Sequence, residues 1–239
     1  MTRKKRTKKE YKKGTFAYYA SKTWDFIWHS DSMLSWAVNV ILAFVLIKFI
    51  IYPGIGFLLG TQLPIVAVIS ESMEHSTNKR NIMLGNNIIS IYDMCGKKFD
   101  SRQSFNYDSW WNECGNWYKR NTNITKEVFS DYKFKNGFNK GDIMILTGKN
   151  ISEIEIGEII VFSSQGAYPV IHRVVKKSKQ GDTIIFETKG DNNPSQIITG
   201  SINEKNISED MILGVASGRI PYLGYIKLWF TDFISLLRG

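Results

Sequence analysis

A mostly β domain carried on one N-terminal membrane-spanning helix is the fold this sequence predicts. Three observations predict it. Residues 33–60, MLSWAVNVILAFVLIKFIIYPGIGFLLG, form one long apolar stretch. A strongly basic tail precedes it. Beyond Gln62 come short runs rich in β-branched residues, separated by Gly, Asn, Asp or Lys, which is the pattern of strands joined by turns.

The tail comes first. The chain has 239 residues and a formal charge of +9, of which +7 sits in the first thirteen residues. Arg3, Lys4, Lys5, Arg6, Lys8, Lys9, Lys12 and Lys13 stand there against Glu10 alone. A uniformly basic surface for nucleic acid is therefore not what the charge describes, although the tail by itself could bind one. Lys and Arg flank spans on the cytoplasmic side, where they meet anionic lipid. Phe16, Tyr18, Tyr19, Trp24, Phe26 and Trp28 follow, mixed with polar groups, as rings do at headgroup depth.

About twenty apolar residues cross a bilayer, so 33–60 is long enough with tilt to spare. Asn39 and Lys48 interrupt it. Lys48 can snorkel or face protein. A buried core helix and a cleaved signal peptide are the alternatives. The basic flank argues against the first. The length of the stretch, with no clear small-residue cleavage site after it, argues against the second.

PIVAVIS, DIMIL, EIIVF, YPVIHRVV and TIIFET supply the strands. Between the first and second lies a segment of about 75–139, rich in Asn, Tyr, Trp and Gly, that holds both cysteines. It reads as an irregular insertion, a lid or a partner-binding loop. The sequons at Asn123, Asn150 and Asn206 permit an outside location without requiring it. The last run, RIPYLGYIKLWFTDFISLLRG, is apolar apart from Lys227 and Asp232. It suits an interfacial helix or a short second span.

Chemistry is sought in SESM, residues 70–73, just after an apolar strand. A nucleophilic Ser needs a base, and the base needs an orienting group. His29 precedes the span and is out of reach. His75 lies three residues after Ser72, and His172 sits inside PVIHRV. Burial of an imidazole in an apolar strand costs free energy unless it is hydrogen-bonded, which favours His172 as the base. Asp191 follows a strand and a Gly in TKGDNN. An ordinary Asx-turn explains it too, yet a carboxylate there could support the histidine.

The order Ser72, His172, Asp191, within SESM, KGDIMIL, GEIIVF, VIHRVV, TKGDNN and a late run from Gly214 to Gly224, resembles the type I signal peptidases. The resemblance is to their archaeal and endoplasmic-reticulum branch, in which His replaces the bacterial Lys base, and it covers roughly residues 33–74 and 140–224. It implies removal of signal peptides from preproteins through an acyl-enzyme. Ser72 would be the nucleophile, His172 the general base and Asp191 its supporting acid. Ser70 and the Ser72 backbone N–H would form the oxyanion hole, where one donor is typically worth ~3–4 kcal/mol. The family further implies small side chains at the −1 and −3 positions of the substrate, which is held as an added strand.

Three departures stand out. Residues 75–139 separate the Ser and KGD boxes, which the family joins by a far shorter connection. His75 replaces the usual Pro. Ile197 occupies a position where many relatives carry a second Asp.

The expected organisation is a cytoplasmic tail and interfacial segment, 1–32; a transmembrane helix, 33–60; an extracytoplasmic catalytic domain, 61–219; and an apolar end, 220–239. The expected location is a single-pass site in the cell membrane, or in the endoplasmic-reticulum membrane of a eukaryote. Outside the cytoplasm oxidation is permitted, so a Cys95–Cys114 disulfide is expected. The expected partners are preproteins, lipid and the secretion translocon, with no nucleic acid. No metal or organic cofactor is implied. The rival reading is a non-catalytic membrane-anchored module whose aromatic insertion binds a partner.

Overall fold

The computed structural model describes residues 11–84, 87–166, 168–225 and 229. The chain divides into two units, residues 1–55 and 56–239. The basic residues up to 10 and most of the apolar C-terminal run, both singled out in the sequence, lie outside the described residues.

Helix α1, Phe16–His29, begins at Thr15, whose side chain accepts the Tyr18 N–H. Helix α2, Met33–Leu46, is capped in the same way by Ser32. The Ser35 hydroxyl donates to the Phe26 carbonyl and the Asn39 amide donates to the Ile27 carbonyl at 2.8 Å. Asn39, the polar break in the apolar run, thus joins two helices.

The helix continues through one wide π turn, Ile47–Ile51, into α3, Tyr52–Leu59. Pro53 explains the widening, because it has no N–H to close the normal turn onto residue 49. Lys48 lies in the wide turn, with its ammonium 5.7 and 5.4 Å from the ring centres of Phe44 and Phe49. Residues 33–59 make a helix long and apolar enough to cross a membrane. At 1.5 Å per residue it reaches about 40 Å, against a hydrocarbon core of about 30 Å.

The second unit is mostly β. Its main sheet contains β1 (Ile65–Ala67), β5 (Ile143–Thr147), β6 (Ile159–Phe162), β7 (Val170–Gln180), β8 (Thr183–Lys189) and β11 (Ile212–Ile220). The strand order is β1-β5-β11-β6-β7-β8, and every neighbouring pair is antiparallel. Both faces are covered, which the continuous apolar run of β6 demands. Ile159 and Val161 enter one core with Val68, Met73, Met144 and Leu146. Ile160 and Phe162 enter another with Ile154, Val174, Phe186 and Ile207. A two-residue pair, β9 (Ile198–Thr199) and β10 (Ile202–Asn203), follows β8.

The 75–139 insertion is more regular than its composition suggests. It holds a three-stranded antiparallel sheet of β2 (Asn78–Leu84), β3 (Asn87–Met94) and β4 (Lys97–Phe99). It also holds helices α4 (Tyr107–Asn121) and α5 (Lys126–Ser130). Trp110, Trp111, Cys114 and Tyr118 share one face of α4, at spacings of three, four and eight residues. They bury against Met94, Ile124, Phe129 and Val175. Cys95 and Cys114 are disulfide-bonded, so the bond ties the end of the strand sheet to the helix.

Candidate active site

Ser72 leaves the first core on a tight turn, closed by the Glu74 N–H on the Glu71 carbonyl at 3.1 Å. Met73 is buried beneath it, which anchors the turn while Ser72 itself stays half-buried. The Ser72 Oγ lies 2.9 Å from His172 Nε2 and 3.1 Å from Ser70 Oγ. His172 comes from β7, opposite Ile160 of β6, and is 3% exposed. Its second ring nitrogen, Nδ1, is 2.5 Å from Oε1 of Glu204.

Glu204 follows β10 and is fully buried. Each of its oxygens is held. Oε1 also accepts the Thr188 hydroxyl at 3.0 Å, and Oε2 accepts the Ile197 N–H at 2.6 Å. The main chain fixes the same residue twice more: its N–H donates to the Ile197 carbonyl, and its carbonyl accepts the Thr188 N–H. A carboxylate so bound has one geometry, and it orients the imidazole so that Nε2 faces the serine hydroxyl.

Asp191 is not the partner of His172. Its carboxylate is held by Arg173 Nε and an Arg173 terminal nitrogen at 2.9 and 2.7 Å, by the Tyr118 hydroxyl at 2.9 Å, and by His75 Nε2 at 3.4 Å. The reason is strand parity. Side chains alternate between the two faces of a strand. Arg173 pairs with Lys189, and Val174 with Thr188. Thr188 and Gly190 therefore share the face of His172, while Lys189 and Asp191 share the face of Arg173. Gly190 is needed there: a Cβ would stand 2.8 Å from His172 Nε2 and 2.9 Å from the Ser72 carbonyl oxygen.

Arg173 uses every N–H it has. Besides Asp191, it donates to the carbonyls of Lys133, Phe134 and Gly157. Burial alone would raise the Asp191 pKa, but the Arg173 charge and the hydrogen bonds from His75 and Arg173 outweigh it and hold the carboxyl well below the usual range. Burial works to lower the Arg173 pKa, and Asp191 reverses it. The pair is ionised and satisfied, and it bolts the insertion to β7 and the Asp191 loop.

His75 stacks on Trp110, with ring centres 3.9 Å apart, and its nearest acid is Asp191. Burial lowers its pKa, against the pull of Asp191. It makes no hydrogen bond to Ser72 among the described residues. Lys189 is also buried. Its ammonium donates to the Gly190 carbonyl at 2.9 Å and lies 5.1 Å from the ring centres of both Trp117 and Tyr118. Burial pushes its pKa down to about 8, against Asp191 and Glu204.

Asn192 ties the parts together. Its N–H donates to the Ser72 carbonyl at 2.8 Å, and its own carbonyl accepts the Cys95 N–H at 3.0 Å. Its side-chain amide donates to the Ser76 carbonyl.

Sequence reasoning selected Ser72 and His172, which stand in hydrogen-bond contact, and Ser70, which stands beside them. It selected Asp191, which stands elsewhere, and missed Glu204. One signal pointed toward it. Ile197 occupies the expected position of a second acid, and Glu204 hydrogen-bonds that same residue from the facing segment.

No family model matches the chain. It is 34% identical over 100 residues to the signal peptidase complex catalytic subunit SEC11 of Saccharomyces cerevisiae, in strains YJM789, RM11-1a and JAY291 alike. The match takes in 40% of this chain and 59% of the relative's length.

Proposed function

We propose that the chain is a membrane-bound serine endopeptidase that removes signal peptides from preproteins. The observation that carries this reading is the hydrogen-bonded series Ser72–His172–Glu204, with its hydroxyl end open and its carboxylate end buried. The likeness to a signal peptidase catalytic subunit supports the substrate class.

In this mechanism the Ser72 Oγ attacks the scissile carbonyl carbon while His172 Nε2 takes the hydroxyl proton. Glu204 accepts the Nδ1–H, keeps that tautomer and stabilises the imidazolium that forms. The carbonyl oxygen becomes an oxyanion, met by the Ser72 N–H and the Ser70 hydroxyl. His172 then returns its proton to the leaving amine, and the acyl-enzyme forms. Water, deprotonated by the same imidazole, attacks the ester and frees Ser72. The supporting acid in this proposal is Glu204, in place of Asp191.

β1 is an edge strand that leads directly to Ser70 and Ser72. A substrate backbone added along that edge would bring its scissile bond toward the hydroxyl. Residues 1–32 are cytoplasmic and residues 61–219 extracytoplasmic in this proposal, in keeping with the basic flank. The preproteins arrive there through the secretion translocon.

The test is cleavage of a preprotein by the full chain in vesicles. Ser72→Ala should abolish product formation while leaving thermal unfolding unchanged. Cleavage at the unsubstituted rate would end the proposal.

A further inference from the structure

The ribbon formed by β2 and β3 carries an uncovered tip. Ile82 pairs with Ile89, and Met83 pairs with Ile88. Because side chains alternate along a strand, these two pairs lie on opposite faces of the ribbon. Met83 is 78% exposed and Ile88 69%, and Ile82 and Ile89 are also open to solvent. None of the four belongs to a core cluster among the described residues. β4 joins the ribbon only at Tyr92–Met94, so the tip extends beyond the third strand. A ribbon that packs on its own domain needs one apolar face. This one is apolar on both.

Its polarity is graded along its length. Behind the apolar tip lies a neutral pair, with the Ser90 hydroxyl donating to Asn81 at 3.0 Å. Behind that comes a basic band of Lys79, Arg80, Lys97 and Lys98. Arg80 is paired with Asp93 and Lys97 with Glu113. Lys79 and Lys98 have no ion-pair partner among the described residues.

We propose that this tip enters the surface of an anionic lipid bilayer, the same one that the 33–59 helix crosses. The order of apolar end, neutral collar and basic band matches the order of acyl chains, interface and anionic headgroups. Apolarity on both faces fits a medium that surrounds the tip, where a protein groove would cover chiefly one face. The spanning helix keeps the ribbon at the bilayer at high effective concentration, so a contact of four side chains suffices. The inference needs no peptidase activity. It gives the insertion a task independent of the Ser72 site.

The test uses the full chain bearing Met83→Cys, whose native cysteines are paired in the disulfide. An environment-sensitive fluorophore is attached and the protein is placed in vesicles of phosphatidylcholine and phosphatidylserine. Asp182→Cys, in the exposed turn after β7, serves as reference. Nitroxides carried about 5–10 Å deep in the lipid should quench the label at 83 several-fold more than the label at 182. The difference should shrink in phosphatidylcholine alone. Equal quenching at the two sites would overturn the proposal. A blue-shifted label at 83 that lipid nitroxides do not quench would also overturn it, and would assign the tip to a protein partner.

Discussion

Glu204 and Asp191 are both fully buried acids within reach of the β7–β8 pair, and they hold different things. Glu204 faces a histidine ring, whereas Asp191 faces a guanidinium. Their amide variants should therefore fail differently. Glu204→Gln keeps the shape but loses the charge opposite His172 Nδ1. Turnover should fall by roughly 10²–10⁴, the range for general acid–base assistance, with little change in unfolding temperature. Asp191→Asn leaves Arg173 buried beside a neutral amide. It should destabilise the domain by about 3–5 kcal/mol, while the folded fraction keeps its turnover. Peptide cleavage and thermal unfolding of both variants separate the two roles; a stable but inactive Asp191→Asn beside an active Glu204→Gln would reverse the assignment. Of these residues, Ser72 and His172 were legible in the sequence, because the chain has three histidines and only one sits in a strand. Glu204 was not legible. It stands in NEKN, a polar stretch with no motif, and it reaches the site only through the short β9–β10 turn. Asp191 misled because a position in a motif does not say which face of a strand it falls on.

At the scale of elements, the insertion is a folded lobe fastened to the site. Its disulfide closes a span of 19 residues, and the Cys95 backbone reaches Ser72 through Asn192. For a loop of that size the unfolded-chain constraint is worth about 3 kcal/mol. Reduction, or paired Cys95→Ser and Cys114→Ser substitution, should lower stability by about that much, and cleavage should weaken as the Asn192 anchor loosens. Unfolding midpoints with and without reductant measure the first effect. An unchanged midpoint would mean that the aromatic cluster alone holds the lobe. The strands of the main sheet were legible from their β-branched runs and turn residues. The helix in the insertion was masked by the Asn and Gly around it, although Trp110, Cys114 and Tyr118 already mark one helical face. The ribbon was masked because β2 opens on Asn78, Lys79, Arg80 and Asn81, a polar run without β-branched residues.

For the whole molecule, the buried charges set how stability follows pH. Lys189 titrates near 8 when folded and near 10.5 when unfolded. Between these values the unfolded chain holds the extra proton, so stability rises with pH, by up to about 1.4 kcal/mol per unit. Burial raises the Tyr107 pKa to about 12 and holds that of Tyr118 well above its ordinary value. Above pH ~10 the unfolded tyrosines ionise first, and stability falls again. An optimum near pH 9–10 is expected from thermal unfolding across that range. Lys189→Met should flatten the rise between pH 8 and 10; a slope that persists unaltered would place its origin in another group. The chemical series also has an order in time. Ser72 and His172 are 100 residues apart, and His172 and Glu204 a further 32. A ribosome adding roughly 5–20 residues per second delivers the hydroxyl many seconds before the carboxylate that completes the series. For most of that interval a newborn copy has its proposed nucleophile without the base, and until synthesis has passed Glu204 it lacks the carboxylate that brings the pair to full rate, so its own emerging chain and its neighbours' are spared full-rate cleavage.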